Sequence, residues 1–536
     1  MRTLNEKGRL ITTISALGLT ALTISAPLSS AIAAPKTELI LAVHGEPSNG
    51  FDPTLGWGEY GYPLFQSTLL KRDADLRMIG DLATDWRVSD DRKTWTVTIR
   101  SDAKFSDGQP LTARDVAFTY ETAKKAGSVL DLTELVAVNA VDDHTVTFEL
   151  TAPRITFLNT LAVLGILPAH AYGDDYGRAP IGSGPFRLVS WTEGEQAITE
   201  PNPYYYGTKP AFEKVTFLFT GDDTSYAAAR AGQLDVAAVS NALAGGDVPE
   251  GMVRVSTKTV DNRGLAFPMV PDTGKTTATG ARIGNNVTSD PAIRKAIDIA
   301  IDRQALADAV LNGFGRPAYG PADDLPWDNP DHRLPDANPE EAKRILADGG
   351  WTPGTDGILE KNGIKARIAI YYSASDTTRQ ALALASADMI RPLGIAVDVL
   401  GKSWDEIKPK MHSNIVVFGA GSHDPFETYN LYVGTDAESG WWFNTGMYDN
   451  PTVKAHFAEG LASPTLDDLL PEWKKAAWDG ETGYGMKGDA AWTWLVNIDH
   501  VYFVSKCLDI GPRQIEPHGH GFPVTYNLED WRWTCE

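Results

Sequence analysis

Two short stretches of the chain carry residue types whose spacing suits the grip of a charged small molecule. The first is Ser375-Asp376-Thr377-Thr378-Arg379-Gln380, between a strand-like run, Ala366 to Tyr372, and a helical run, Asp376 to Arg391. Unpaired N–H groups and the dipole at a helix N-terminus attract anions. Arg379 adds a planar fork of donors that fits a carboxylate bidentately. A cation is disfavoured in a helix's first turn, and that mismatch is a reason to look for an anionic ligand there. The second stretch is Phe418-Gly419-Ala420-Gly421-Ser422-His423-Asp424-Pro425, a loop after a strand that begins at Ile415. Loops at strand ends of an α/β lobe are where ligands bind. Its His423 and Asp424 are candidate ligand contacts.

Imidazole suits nickel, copper and zinc. His423 and His500, the latter in Asn497-Ile498-Asp499-His500, are the candidate metal ligands, and His44 beside the first strand is a weaker third. Pro517-His518-Gly519-His520-Gly521 reads either as an exposed metal-binding tract or as a Gly-rich turn. No catalytic arrangement is present. There is no HExxH, no GxxxxGK[ST], no GxSxG and no CxxC, and a secreted hydrolase fails for want of a nucleophile–base pair. Gly56-Trp57-Gly58-Glu59-Tyr60-Gly61 formally matches GxGxxG. However, Asp52-Pro53 stands where a strand should end and no acid follows at a second strand end, so it is not a dinucleotide loop. The chain reads as a binder without a cofactor, not as an enzyme.

The elements that must position these residues are legible from periodicity. Thr94 to Arg100 alternates, with Trp95, Val97 and Ile99 on one face, which is the pattern of a half-buried strand. Asp107-Gly108 supplies a turn. Thr112 to Asp115 has the form of a capping box with Asp in place of the preferred Glu, and Gly127 stops the helix that follows. Thr145 to Leu150 is a second clean alternation. Strands are also expected at Leu39–Val43, Leu265–Val270, Ala396–Leu400 and Ile415–Gly419. A helix after Asp290-Pro291 carries Ile293, Ala296, Ile297 and Ala300 as an apolar stripe. The strand–helix alternation of this later region is typical of α/β folding.

A length of 536 residues exceeds one ordinary core, so two or three lobes are expected. Arg2, Lys7 and Arg9 precede an apolar run, and Ala31-Ile32-Ala33 has the form of a cleavage site, so residues 1–33 read as a signal peptide. The formal charge of −22 becomes about −24 after removal of three bases and one acid. Such a balance repels nucleic acid and anionic membrane. The two cysteines, Cys507 and Cys535, either pair in an oxidising compartment or remain free thiols.

The stretch from Trp86 to Tyr120 closely resembles the signature of the peptide/nickel class of solute-binding proteins, bacterial extracellular family 5, which feed ABC importers. Its landmarks are Trp86, Ser89, Asp91, Thr94-Trp95, Arg100, Phe105, Asp107-Gly108, Pro110, Thr112-Ala113 and Asp115-Val116. Ile181-Gly182-Ser183-Gly184-Pro185-Phe186, Asn202-Pro203-Tyr204-Tyr205 and Ile293-Arg294-Lys295-Ala296-Ile297 extend the resemblance over almost the whole mature chain. It implies an α/β, two-lobed periplasmic binding protein, a clamshell with a strand-rich insertion in the first lobe. The expected division is 34–80, 81–190 (the insertion) and 191–262 for the first lobe, 263–495 for the second, and 496–536 for the return. It also implies a monomeric periplasmic receptor for a small molecule, partnered by an ABC permease in the inner membrane.

The same resemblance makes Trp57 and Tyr60 candidate walls of the cleft and Arg379 the anchor for a ligand carboxylate. In peptide-binding relatives an aspartate three residues before the acid-Pro pair holds the peptide amine, and here that place is Gly421. Nickel-binding relatives have a small residue there and a histidine on the same loop. Some also use an arginine that the matching Leu164–Leu167 segment lacks. The expected cargo is therefore a nickel chelate with a histidine-like chelator, completed by His500 or His423, and the alternative is a di- or oligopeptide.

Overall fold

The structure is a computed structural model, and it describes residues 36–535 except 44, 62, 128–129, 434–442 and 520. The signal segment, His44 and His520 lie outside the described residues. Two large sheets dominate. The first has seven strands, in the order Met252–Thr257, His500–Ser505, Val236–Val239, Glu38–Ala42, Lys214–Leu218, Gln196–Pro201 and Phe186–Thr192. Glu38–Ala42 runs parallel to both of its neighbours, and every residue of Val236–Val239 is buried, as a central strand requires. The second sheet has six strands, in the order Gly315–Pro317, Trp492–Ile498, Asn262–Ala266, Ile415–Ala420, Arg367–Ser373 and Ala396–Lys402. Each sheet is the centre of one lobe.

Between the early strands of the first lobe lies a four-stranded antiparallel sheet, Ala83–Val88, Thr94–Ile99, Thr145–Leu150 and Leu135–Ala140. Trp95, Val97 and Ile99 point into its core together with Val146, Phe148 and Leu150. The helix Ala113–Ala126 covers that face. Asp115 reaches back to accept from the Thr112 N–H at 2.9 Å, so the shortened capping box closes. Gly127 ends the helix at φ 58°, in the left-handed region.

Two segments join the lobes. The chain leaves the first sheet at Thr257 and enters the second at Asn262, then returns from Ile498 to His500 across the single residue Asp499. The segments lie side by side, because Ile498 N–H donates to Asp261 O at 2.8 Å and the Thr259 hydroxyl donates to Ile498 O. The strand expected at Leu265–Val270 instead runs from Asn262 to Ala266. Pro268 has no N–H for a ladder, so the strand ends before it and takes in the polar residues at the crossing. The expected helix at Asp376–Arg391 runs from Thr377 to Ile390, with Asp376 as its N-cap, and the helix with the apolar stripe spans Pro291–Ala300.

The lobes also meet away from the crossings. Ile155 N–H of the insertion donates to Leu461 O of the second lobe at 3.0 Å, and the Arg154 guanidinium lies 3.6 Å from the centre of the Phe426 ring. Cys507 and Cys535 form a disulfide that secures the C-terminal segment, next to the short pairing of Leu508 with Trp533.

Candidate functional site between the lobes

A cavity of about 500 Å³ opens where the two crossings meet. The first lobe contributes Ser240, Asn241 and Phe522, the second contributes Arg263 and Ser375 to Thr378, and the crossings contribute Asp261 and His500. The wall is mostly acidic, with Asp222, Asp261, Asp376 and Asp499 against Arg263 and His500. Part of that charge is already matched, since Asp499 lies 3.4 Å from Arg316.

His500 is the best-oriented donor in this wall. Its Nδ1–H donates to Glu516 Oε2 at 2.8 Å, while Nε2 faces Asp261 Oδ2 at 3.4 Å. Glu516 is fully buried and itself held, by the Tyr502 hydroxyl at 2.6 Å and Arg513 Nη2 at 3.1 Å. Burial alone would lower the His500 pKa, but the hydrogen bonds and charges of Asp261 and Glu516 carry it up to about 9. Asp261 is a hub that also pairs with Arg263 and with His518 Nδ1. Burial would raise its pKa, yet Arg263 and His518 hold it well below the usual carboxylate range.

Arg379 stands just behind the cavity wall. Its Nε donates to Asp376 Oδ2 at 2.9 Å, its Nη1 to Val417 O at 2.6 Å, and its guanidinium lies over the Trp404 ring. Burial draws its pKa down to about 10, and the nearby Arg263 adds repulsion. Ser375, Asp376, Thr377 and Thr378 face the cavity in its place. Thus the helix N-terminus reaches the cavity, and the arginine braces that turn.

His423 does not join His500. It is buried and does not line the cavity, its Nε2 accepts or donates no hydrogen bond, and its carbonyl accepts from Arg72 Nη2 at 3.4 Å. Burial, with Arg72 nearby, lowers its pKa to about 3 and keeps the ring neutral. Asp424 begins the helix Phe426–Val433 by accepting from the Phe426 N–H at 2.9 Å. Of the two aromatic candidates, Trp57 is a packing residue. Its Nε1 donates to Pro63 O at 2.6 Å, which turns the ring inward against Phe51 and Phe522 in the first lobe's core. Tyr60 does stand at the lobe junction, 5.7 Å from the His518 ring, where burial and the charges of Glu427, Glu59 and Asp261 push its pKa well up.

Several residues of the site escape a reading by motif. Asp261 and Arg263 are two apart on a strand entry, and Glu516 has no local pattern at all. His518 is buried on Asp261, so at that residue the Gly-His tract is not exposed. Glu427 is the least expected. Its Oε2 accepts from Gly421 N–H at 3.0 Å and Ser422 N–H at 2.8 Å, so a carboxylate does occupy the loop whose own acid is missing. Burial pushes its pKa up to about 7 despite those two bonds. Among the described residues, no group of three or more His, Cys, Asp and Glu could hold a metal ion.

The model of the middle region of the bacterial extracellular solute-binding proteins, family 5, matches residues 77–440. This chain belongs to that family. It is 35% identical over 498 residues to Protein XP55 of Streptomyces lividans, covering 89% of this chain and 86% of that one. It is 28% identical to the probable D,D-dipeptide-binding periplasmic protein DdpA of Escherichia coli, over 83% and 86% of the two chains. NikZ from Campylobacter jejuni, solved in complex with Ni(L-His), superposes with a TM-score of 0.78 at 22% identity, over 93% of this chain and all of that one. The family 5 protein is therefore a two-lobed α/β binding protein. Its relatives are solute-binding receptors rather than enzymes, periplasmic or extracellular, which take small ligands or peptides and work with ABC permeases. No described helix is long and apolar enough to cross a membrane.

Proposed function

We propose that this family 5 receptor captures a nickel chelate whose chelator resembles free histidine, and presents it to an ABC permease. The observation that carries this reading is the placement of His500. A metal-binding imidazole characteristically gives its other N–H to a carboxylate, which sets the tautomer and the ring orientation. His500 has that arrangement through Glu516, and the residue is part of the cavity wall, with its Nε2 facing Asp261, another residue of that wall. One protein ligand is enough when a chelator brings the others, which is in keeping with the lack of a protein-built metal cluster among the described residues. The cavity volume lies within the range of small-ligand sites. The chelator's carboxylate is assigned to Arg263 and the first turn of the Thr377–Ile390 helix, with Arg379 positioning that turn.

A peptide remains the second reading, favoured by Glu427, whose buried carboxylate beside Gly421 is suited to an ammonium. Calorimetry on the mature chain separates the two. Nickel with L-histidine is expected to bind more tightly than nickel alone or simple dipeptides, and His500→Ala to weaken that complex while His423→Ala does not. Tight binding of metal-free dipeptides, unaffected by added nickel and histidine, would overturn the nickel reading and favour Glu427 as the anchor.

A further inference from the structure

The lobes are linked beside the cleft by more than the two covalent crossings. Val236–Val239, a central strand of the first sheet, leads through Ser240 into the short helix Asn241–Ala244. Asn241 is buried, and its side chain reaches out of the first lobe. Its Nδ2 donates to Phe314 O of the second lobe and to Asp499 O at 3.2 Å. The second lobe answers from the residue that ends the helix Arg303–Leu311. Asn312 Nδ2 donates to Asn241 O at 3.0 Å, from a left-handed φ of 51° that asparagine tolerates.

Asp499 lies at the centre of this contact. It is the single residue between the second-lobe strand Trp492–Ile498 and the first-lobe strand His500–Ser505, and both lobes hold it. From the second lobe, Phe314 O accepts its N–H at 3.2 Å and Arg316 Nη1 lies 3.4 Å from its Oδ1. From the first lobe, the Ser256 hydroxyl donates to its Oδ2 at 3.3 Å and Asn241 donates to its carbonyl. Arg316 Nη2 also donates to Thr259 O at 2.8 Å, so one second-lobe guanidinium spans both crossings. The Arg254 guanidinium, 5.5 Å from the centre of the Phe314 ring, adds a further first-lobe contact to the same residue.

We propose that Asn241 and Asn312 form a non-covalent pivot of the hinge, a joint that stays made while the lobes part and that fixes the direction in which they part. Phe314 O accepts from Asn241 and from the Asp499 N–H, so the pivot shares an atom with a crossing, and points beside a rotation axis move least. Parting would also leave the buried Asn241 amide unpaired, which costs more than the net contribution of its bonds. The contacts of the insertion with the second lobe, Arg154 with Phe426 and Ile155 with Leu461, share no residue with the crossings and are free to open. Asn241, Asp499 and His500 line the cavity, so the pivot keeps that part of its wall in shape in the parted state, whatever the cleft takes.

The test is double electron–electron resonance on the ligand-free mature chain, with spin labels at Lys125→Cys in the insertion and Glu459→Cys in the second lobe, both exposed positions. Loss of a pivot adds directions of motion, so Asn241→Ala is expected to broaden the interlobe distance distribution. Loss of a closing contact in Arg154→Ala should only move population toward the longer native distance. Hydrogen exchange read by mass spectrometry should run about two- to tenfold faster around Asp499 in Asn241→Ala, the equivalent of one lost hydrogen bond, with the strand Thr145–Leu150 unchanged. If Asn241→Ala fails to fold, Asn312→Gly decides, since Asn312 is exposed and glycine suits its left-handed φ. A distribution of native width, or one that only moves to the longer distance, would overturn the proposal, as would native exchange around Asp499.

Discussion

At the scale of single residues, three histidines of similar sequence appearance occupy different charge states because of what surrounds them. His500 lies between Asp261 and Glu516 and is held protonated up to about pH 9. His423 and His332 are buried without a carboxylate and are pushed down to about 3. Histidine NMR should therefore show His500 charged and His423 neutral at pH 7. The linkage follows from the sign. A raised folded-state pKa makes the His500 contribution to stability fully present below its unfolded value near 6.5 and lost as pH rises through about 9. The melting-temperature gap between the native protein and His500→Gln is expected to be constant below pH 6.5 and to close by pH 9.5 or so. A gap that persists unchanged at high pH would refute the ionised pair. On the proposed nickel reading the metal displaces the same proton, so chelate affinity is expected to rise with pH over this window.

Gly421 also has a reason at this scale. A Cβ there would lie 2.3 Å from Val260 O, and its φ of 151° is a conformation that side chains rarely adopt. The missing acid is thus excluded by a close backbone approach at the crossing. Gly421→Asp is expected to destabilise by about 1–3 kcal/mol, the cost of such strain, and not to create a dipeptide site. Chemical denaturation and dipeptide calorimetry on this variant give the two readouts, and a stable variant with new dipeptide affinity would contradict the account.

At the scale of elements, the C-terminal segment matters more than its lack of regular structure suggests. It supplies Glu516 and His518 to the crossing cluster, and the Cys507–Cys535 disulfide closes it over a separation of 28 residues. A loop of that size is worth about 2–4 kcal/mol to a native protein, mainly through the unfolded chain. Replacing both cysteines by serine should lower stability by that amount, read by denaturant melts. Cleft binding should also weaken, because the segment that orients His500 is less well secured. A double variant with native stability would show that the Leu508–Trp533 pairing holds the segment by itself.

At the scale of the whole molecule, function depends on two lobes joined by adjacent short segments. A permease can distinguish a loaded receptor only through a state that the ligand favours. The contacts of Arg154 with Phe426 and of Ile155 with Leu461 join the insertion to the second lobe, so they are made only when the lobes are together. Arg154 also donates to Asp131 O at 2.9 Å, which keeps it aimed. Arg154→Ala should shift the population toward separated lobes and weaken ligand binding by about 1 kcal/mol, as a partly buried cation–π pair would. Small-angle scattering should show a larger radius for this variant without ligand, and an unchanged radius and affinity would remove the contact from the closing mechanism.

The sequence by itself determined the local elements and the family. Strands such as Thr94–Ile99 and Thr145–Leu150 were legible because a two-residue period needs only neighbours along the chain. The same holds for the Thr112–Asp115 cap and the Asp376 N-cap, since both bonds are made within one turn. The motif from Trp86 to Tyr120 led to the right family, and His500 was legible as a candidate by residue type. What only the tertiary structure decided is which side chains share a space. Arg379 turned out to brace the helix start because Val417 O and Trp404 come from other elements of the second lobe. Trp57 turned inward because Pro63 O accepted its N–H. Asp261, His500, Glu516 and His518 meet only because two crossings and the C-terminal segment are brought together from up to 257 residues apart. No periodicity records such a meeting, since charge pairing across elements depends on distance in space and not on spacing along the chain.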